Sequence, residues 1–296
     1  MWGFRRLRPP RLSVVVIFHN MRRESERTLH SLTTTYQKDV SDSQYEVIAI
    51  DSSSNEPLDE KEVYSYGPQF RYLRINPQHP SPCEALNLGA SEAKYDIIMF
   101  VIDGARILSP SIIKKTLDAF RKFKNPFVYT LGMHIGPKPQ AESILDGYCQ
   151  SVEDDLLKQT EWKENGYSLF PLSSLAYSSQ GGYFSELNES NCFSLYKKTY
   201  MEIGRYNESF IKPGGGLCNL DIFNRAMENK NITPVILMGE ATFHQYHGGV
   251  ATNVPIEESP WEIFASEYRD IYKKEYTAIY KTPHYFGEIT NEIKIK

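Results

Sequence analysis

Short apolar runs and amphipathic stretches alternate through the first half of the chain. The run LSVVVIF at 12–18 is rich in β-branched residues, the pattern of a strand buried on both faces. It ends at His19-Asn20, and residues 23–36 follow with Leu29 and Leu32 on one helical face. A second strand is predicted at 45–50, ending at Asp51, and the Ser- and Asn-rich loop 52–57 comes after it. A third short strand is predicted at 70–75 and a helix at 81–93, with Cys83, Leu86, Leu88 and Ala90 available to pack. The fourth strand is the run IIMFVI at 97–102, which stops at Asp103; a helix follows at 111–123. Strand–helix alternation of this kind predicts a mostly parallel sheet covered on both faces.

The pattern loosens beyond residue 125. Strands are expected at 127–131, 192–196 and 234–238, with helices at 143–161, 197–205 and 221–229. The polar, aromatic stretch 167–194 reads as a mobile loop leading into a strand. Residues 261–280 read as an aromatic amphipathic helix through Trp261, Phe264, Tyr268, Ile271 and Tyr272.

Two strands ending in Asp51 and Asp103 would present their acids on one sheet edge, where open α/β folds bind ligands. A carboxylate there suits a divalent cation bridging two phosphates, and Gly104 would let the backbone approach it. The plainer reading makes Asp103 a cap for the helix beginning near Pro110. Ser109 fills that N-cap position better, so the ligand reading is preferred. Dinucleotide and Walker A fingerprints are both absent.

Composition narrows the picture little. The chain has 296 residues, 41% hydrophobic and 24% charged, as expected of an ordered globule. Its net charge of −4 gives no reason to expect nucleic acid. One basic cluster, Arg5, Arg6, Arg8 and Arg11, could touch anionic lipid or phosphate; a frayed solvated terminus is the simpler account. Cys83, Cys149, Cys192 and Cys218 lack zinc spacing, which favours a reduced, cytoplasmic setting. No apolar run has transmembrane length, and no signal peptide is expected. Asn188, Asn207 and Asn231 lie in N-x-S/T triplets, which arise often by chance.

Two further clusters carry chemistry. Gly214, Gly215 and Gly216 precede a helix whose start holds Asn219 and Asp221. Asp221 reads equally well as a dipole-stabilising acid or as a general base beside an acceptor hydroxyl. The segment Gly239 to Gly249 follows the last predicted strand and holds Glu240, His244 and His247. Two histidines at i and i+3 in a loop can bind a metal or a phosphate oxygen. No H-E-x-x-H motif is present.

Taken in order, the motifs at about 12–250 resemble glycosyltransferase family 2, with its GT-A fold. SVVVIFHN at 13–20 looks like the family's opening strand, VIAIDSSS at 47–54 like V-V-D-D-G-S, and ALNLG at 85–89 like A-R-N-x-G. DGARILSP at 103–110 looks like D-x-D with I-L-x-P. GRYNE at 204–208 looks like G-G-F-D-E, and residues 215–225 look like G-G-E-D-x-D-L-x-x-R. The chain departs from the family at three places. Ser52 replaces one acid of the base-contacting pair, Ala105 replaces the second acid of D-x-D, and Cys218-Asn219 stand where the family carries Glu-Asp.

The resemblance implies a GT-A domain over 12–250, with a nucleotide half to about 124, a smaller acceptor-side region to 250, and an aromatic helical extension at 251–296. It implies inverting sugar transfer from a nucleotide diphosphate in a single displacement, assisted by Mg²⁺ or Mn²⁺. Donor contacts fall on His19, Asp51, Asn87 and Asp103, the cation on Asp103 and His244, and the base on Asp221. Asn191, Gly215, Gly216, Asn219, Glu240 and His247 fall on the acceptor or phosphate side. The partners expected are a nucleotide-sugar donor and a glycan, lipid-linked or small-molecule acceptor, with no nucleic acid. Peripheral membrane contact and a homodimer through the C-terminal aromatics are further options. The competing class is a degenerate member that binds a nucleotide sugar, or serves as a scaffold, without transfer.

Overall fold

In a computed structural model, which describes residues 9–289 and 293, the chain is an α/β fold on one mixed sheet. Its strands are β1 (Leu12–Phe18), β2 (Tyr45–Ser52), β3 (Phe70–Ile75), β4 (Ile97–Val101), β5 (Arg106–Leu108), β6 (Pro126–Ile135), β7 (Ser173–Leu175), β8 (Cys192–Tyr196), β9 (Thr233–His244) and β10 (His284–Gly287). The helices are α1 (Arg22–Ser31), α2 (Glu60–Ser65), α3 (Cys83–Glu92), α4 (Ile112–Lys122), α5 (Gln140–Ser143), α6 (Gln150–Lys158), α7 (Lys197–Glu202), α8 (Cys218–Glu228) and α9 (Trp261–Tyr272). Arg5, Arg6 and Arg8 of the basic cluster lie outside the described residues. Among the described residues no helix is long and apolar enough to cross a membrane.

The sheet runs β10-β9-β6-β8-β4-β1-β2-β3, parallel except where β8 inserts between β6 and β4. Its apolar strands supply two layers at once. Val15 and Ile17 of β1 join Ile48, Ile50 and Leu86 on one face; Val14, Val16 and Phe18 join Leu29, Val47 and Leu117 on the other. Side chains alternate across a strand, so a wholly apolar run is what two buried faces demand.

Register then lines up the strand ends. Phe18 pairs with Asp51 and Val16 with Val101, so His19, Asp51 and Asp103 reach one edge. From the far side of the sheet comes β9, pairing with β5 so that Arg106 lies opposite His244. This short antiparallel pair joins a residue three positions after Asp103 to one more than a hundred positions later.

Several boundaries differ from the sequence reading. Residue 238 was expected to end the last strand, but β9 continues to His244 through Gly239, which has φ +77°. A Cβ at Gly239 would sit 2.1 Å from Glu288 O, so only glycine admits the neighbouring chain. His244 is therefore a strand residue, not a loop residue. The 167–194 stretch is packed, not free: Leu169 and Phe170 are fully buried, and β7 pairs with β6. The helix predicted at 143–161 is α6 preceded by short helical turns, and α9 stops at Tyr272. The C-terminal extension is not only helical, since β10 adds a strand beside β9. Ser109 does not cap α4; its hydroxyl donates to Glu240 Oε2 at 2.6 Å, and Ser111 takes the cap position.

Helix α3 lies directly on the sheet at Gly89, where a Cβ would fall 2.3 Å from Val15 Cγ1 and 2.8 Å from Ile50 Cδ1. Gly89→Ala is expected to cost about 1–3 kcal/mol by overpacking, despite alanine's better helix propensity. Urea denaturation checks this; a stabilised variant would mean that α3 stands off the sheet.

Candidate active site

Asp103 follows β4 and is the hub of a small polar cluster. Its Oδ1 accepts the Ala105 N–H at 3.0 Å, which fixes the carboxylate. Its Oδ2 lies 2.8 Å from His244 Nε2, 3.7 Å from His247 Nε2 and 3.8 Å from Arg106 Nη2. The ligand-type atoms of Asp103, His244 and His247 all lie within 4.8 Å of one another. Gly104 was expected to leave room for a ligand. It is required instead by packing, for a Cβ there would meet the Phe18 ring at 2.3 Å and Ile17 O at 2.5 Å.

The tautomer of His244 follows from its other neighbours. Gln140 Nε2 donates to His244 O at 3.1 Å, so its amide oxygen faces the ring. That oxygen already accepts Asn253 Nδ2 at 2.8 Å and lies 2.6 Å from His244 Nδ1. Nδ1 must therefore carry the hydrogen. Burial pushes the His244 pKa down to about 4 against the pull of Asp103, so the ring is neutral at pH 7. Its Nε2 then presents a lone pair to a carboxylate oxygen, an arrangement that asks for a cation between them.

His247 rides on a loop held by Asn253, whose Oδ1 accepts the N–H groups of residues 247, 248 and 249. Burial opposes its charge, but Asp103 outweighs burial and raises its pKa above the ordinary value. Burial likewise opposes the Asp103 charge, yet His247 holds that carboxyl well below the usual range. Arg106 is 3% exposed, and its Nε and Nη1 have no partner among the described residues. His134 lies tilted beside His244 with ring centroids 5.3 Å apart, and burial keeps its pKa well below normal.

The other predicted residues divide. His19 sits exposed at the same edge, with Nδ1 donating to Ser52 O at 2.6 Å. Asn191 meets the end of β4, its carbonyl accepting Ile102 N–H at 3.2 Å. Asn219 donates to Glu189 Oε1 at 2.8 Å and to Ser190 O at 3.3 Å.

Six of the predicted residues are engaged within the fold. Asp51 is fully buried, and its two oxygens accept Ser54 N–H at 3.2 Å and Leu58 N–H at 3.0 Å; it shapes the loop after β2. Asn87 spends its amide on Tyr206 O and Glu208, and its oxygen on Tyr200 and Tyr206, so it braces α3 to the 206–208 turn. Glu240 is fully buried and engaged by Lys115, Ser109 and Tyr167. Asp221 is 2% exposed and pinned by Arg225 Nε at 2.9 Å and Nη2 at 2.6 Å. Gly215 and Gly216 take positive φ, and side chains there would strike Cys218 and Glu267. Their need for glycine is met by packing, without a ligand.

The sequence reading passed over Gln140, Asn253, Arg106 and Glu189. Only Arg106 left a signal, as a lone charge opening an apolar strand three residues after Asp103.

A family description, "Glycosyl transferase family 2", matches residues 13–169. No curated protein matches the chain. Among solved structures the chain is similar to that of S. aureus TarS, with TM-score 0.52 and 16% identity over 88% of this chain and 39% of that one. It is also similar to TarS 1–349, with TM-score 0.50 and 14% identity over 88% and 66%. At such identities the likeness shows a shared GT-A fold. The chain spans about two fifths of the full TarS chain.

The saturation of Asn87 predicts a stability effect. Asn87→Ala would take the acceptor from the Tyr200 hydroxyl hydrogen and the donor from Tyr206 O, and is expected to cost about 3 kcal/mol in urea unfolding. A variant of unchanged stability but weakened nucleotide binding would return Asn87 to the donor site.

Proposed function

The chain belongs to glycosyl transferase family 2, and from that premise we propose that it transfers a sugar from a nucleoside-diphosphate donor to an acceptor hydroxyl, with inversion and with a divalent cation at Asp103. The observation that carries the reading is the opposed pair of Asp103 Oδ2 and His244 Nε2 at 2.8 Å. The donor set of one carboxylate and two imidazoles fits Mn²⁺ better than Mg²⁺, which favours oxygen. A cation bound there would offset the charge that develops on a leaving diphosphate.

This chain's own residues do the rest. Gln140 and Asn253 hold the His244 tautomer and the His247 loop, the outer support that ligating histidines need. Arg106 offsets the Asp103 charge, which suits a cation that arrives with a diphosphate. His19 sits on the same edge, placed to meet the donor. Acceptor alignment behind the anomeric carbon supplies the entropic part of the rate. The degenerate, non-transferring alternative would share this cation site, so turnover separates the two.

A panel of UDP- and GDP-sugars with Mn²⁺, scored by nucleoside diphosphate release, tests the reading. Release with at least one donor is expected, and Asp103→Asn should lower it by about a hundredfold or more while the fold persists. No release from any donor would leave only the binding or scaffold class.

The raised pKa of His247 gives a pH dependence with a definite sign. His247 holds its proton to higher pH than free imidazole, and cation binding must expel it. Calorimetry of Mn²⁺ with UDP or GDP present should show affinity rising with pH through neutrality, by up to about tenfold per unit. His247→Gln should flatten that slope. A pH-independent affinity in the unsubstituted protein would exclude His247 as a ligand.

A further inference from the structure

Most carboxylates around the site already have fixed duties. Asp103 faces the histidines, Asp221 is held by Arg225, and Glu240 is sealed behind Lys115. Glu153 accepts Tyr246 N–H at 2.6 Å and lies within reach of Arg23 and Arg27. Glu189 differs from all of these. It is half-buried just before β8, with no ion pair among the described residues. Its Oε1 takes one hydrogen bond, from Asn219, and nothing described donates to Oε2.

The groups near Glu189 are short of partners. Asn219 is 9% exposed and spends its amide hydrogens on Glu189 and Ser190, yet its Oδ1 is buried with no donor among the described residues. The segment also meets the Asp103 strand, for Asn191 O, two residues after Glu189, accepts the N–H of Ile102, the residue before Asp103, at 3.2 Å. Arg106, 3.8 Å from Asp103, has Nε and Nη1 buried and unpaired among the described residues. Buried polar groups rarely stay unsatisfied. An open acceptor on Asn219 beside a half-buried carboxylate suits a hydroxylated ligand.

We propose that Glu189 is the base that deprotonates the acceptor hydroxyl, and that Asn219 is the residue that positions it. The proposal rests on the glycosyl-transfer reading above. In a single displacement the acceptor oxygen bonds to the anomeric carbon as the bond from that carbon to the diphosphate oxygen breaks. The diphosphate leaves with the electron pair, and the hydroxyl proton passes to Glu189 Oε2. The base has to lie near the leaving group's site without belonging to it. Glu189 meets that condition, since its segment joins the end of β4 beside Asp103, while no hydrogen bond or ion pair links it to either histidine among the described residues. Asn219 cannot take a proton itself; its amide aims the carboxylate by fixing Oε1.

The test uses the full chain, Mn²⁺ and the nucleotide sugar released fastest in the donor panel, with nucleoside diphosphate release followed from pH 5 to 9. Glu189→Gln should lower kcat by about a hundredfold or more with Mn²⁺ and donor saturating. Calorimetric binding of UDP or GDP with Mn²⁺ should stay within threefold of the unsubstituted protein, which shows that the site is folded. Asn219→Ala should lower kcat by about tenfold and leave KM for the donor within twofold, a split that a merely structural role would not give. A Glu189→Gln variant that turns over within threefold of the parent overturns the proposal and leaves glycosyl transfer intact. So does one that loses nucleotide affinity, which would make Glu189 a donor-side or structural group. If the parent releases nucleotide from no donor, both readings fall together.

Discussion

Two lone pairs face each other across 2.8 Å where Asp103 meets His244, and much of the surrounding structure holds them there. Gln140 fixes the hydrogen on the far side of the ring, and burial keeps the ring neutral. The Ala105 amide fixes the carboxylate. A neutral ring offers the carboxylate no hydrogen from Nε2, so a proton or a cation has to complete the contact. Arg106 stands 3.8 Å away, with two donors unused among the described residues. The proposed cation and its diphosphate oxygens would satisfy both.

The strand pairing that creates this contact was the part least legible in the sequence. The buried runs at 12–18, 45–52 and 97–101 announced themselves, because a strand covered on both faces has no polar positions to confuse the pattern. The motif order also placed the chain in its family, which the match over 13–169 bears out. The course of β9 was hidden by Gly239-Glu240, which reads as a turn and a charge. The structure absorbs both: the glycine lets Glu288 pass close, and Lys115, Ser109 and Tyr167 satisfy the buried acid. Local pattern does not reveal partners more than a hundred residues away.

The same limit explains how the acids were assigned. Asp51, Asp221 and Glu240 drew attention as charged residues at strand ends or helix starts, where ligand sites often lie. Each proves to be consumed by its own neighbourhood, through backbone amides, Arg225 or Lys115. Glu189 drew none, because nothing in its sequence context marks it; its standing depends on Asn219, thirty positions later. What distinguishes an available carboxylate from a structural one is the list of its partners, which only the fold supplies.

The proposed cation shared by Asp103, His244 and His247 would be seen by anomalous diffraction at the manganese edge from crystals grown with Mn²⁺ and UDP or GDP. One anomalous peak is expected, bonded to the Asp103 carboxylate and to the Nε2 atoms of both histidines. Clear nucleotide density with no peak there, and with Asp103 hydrogen-bonded directly to a protonated His244, would contradict it.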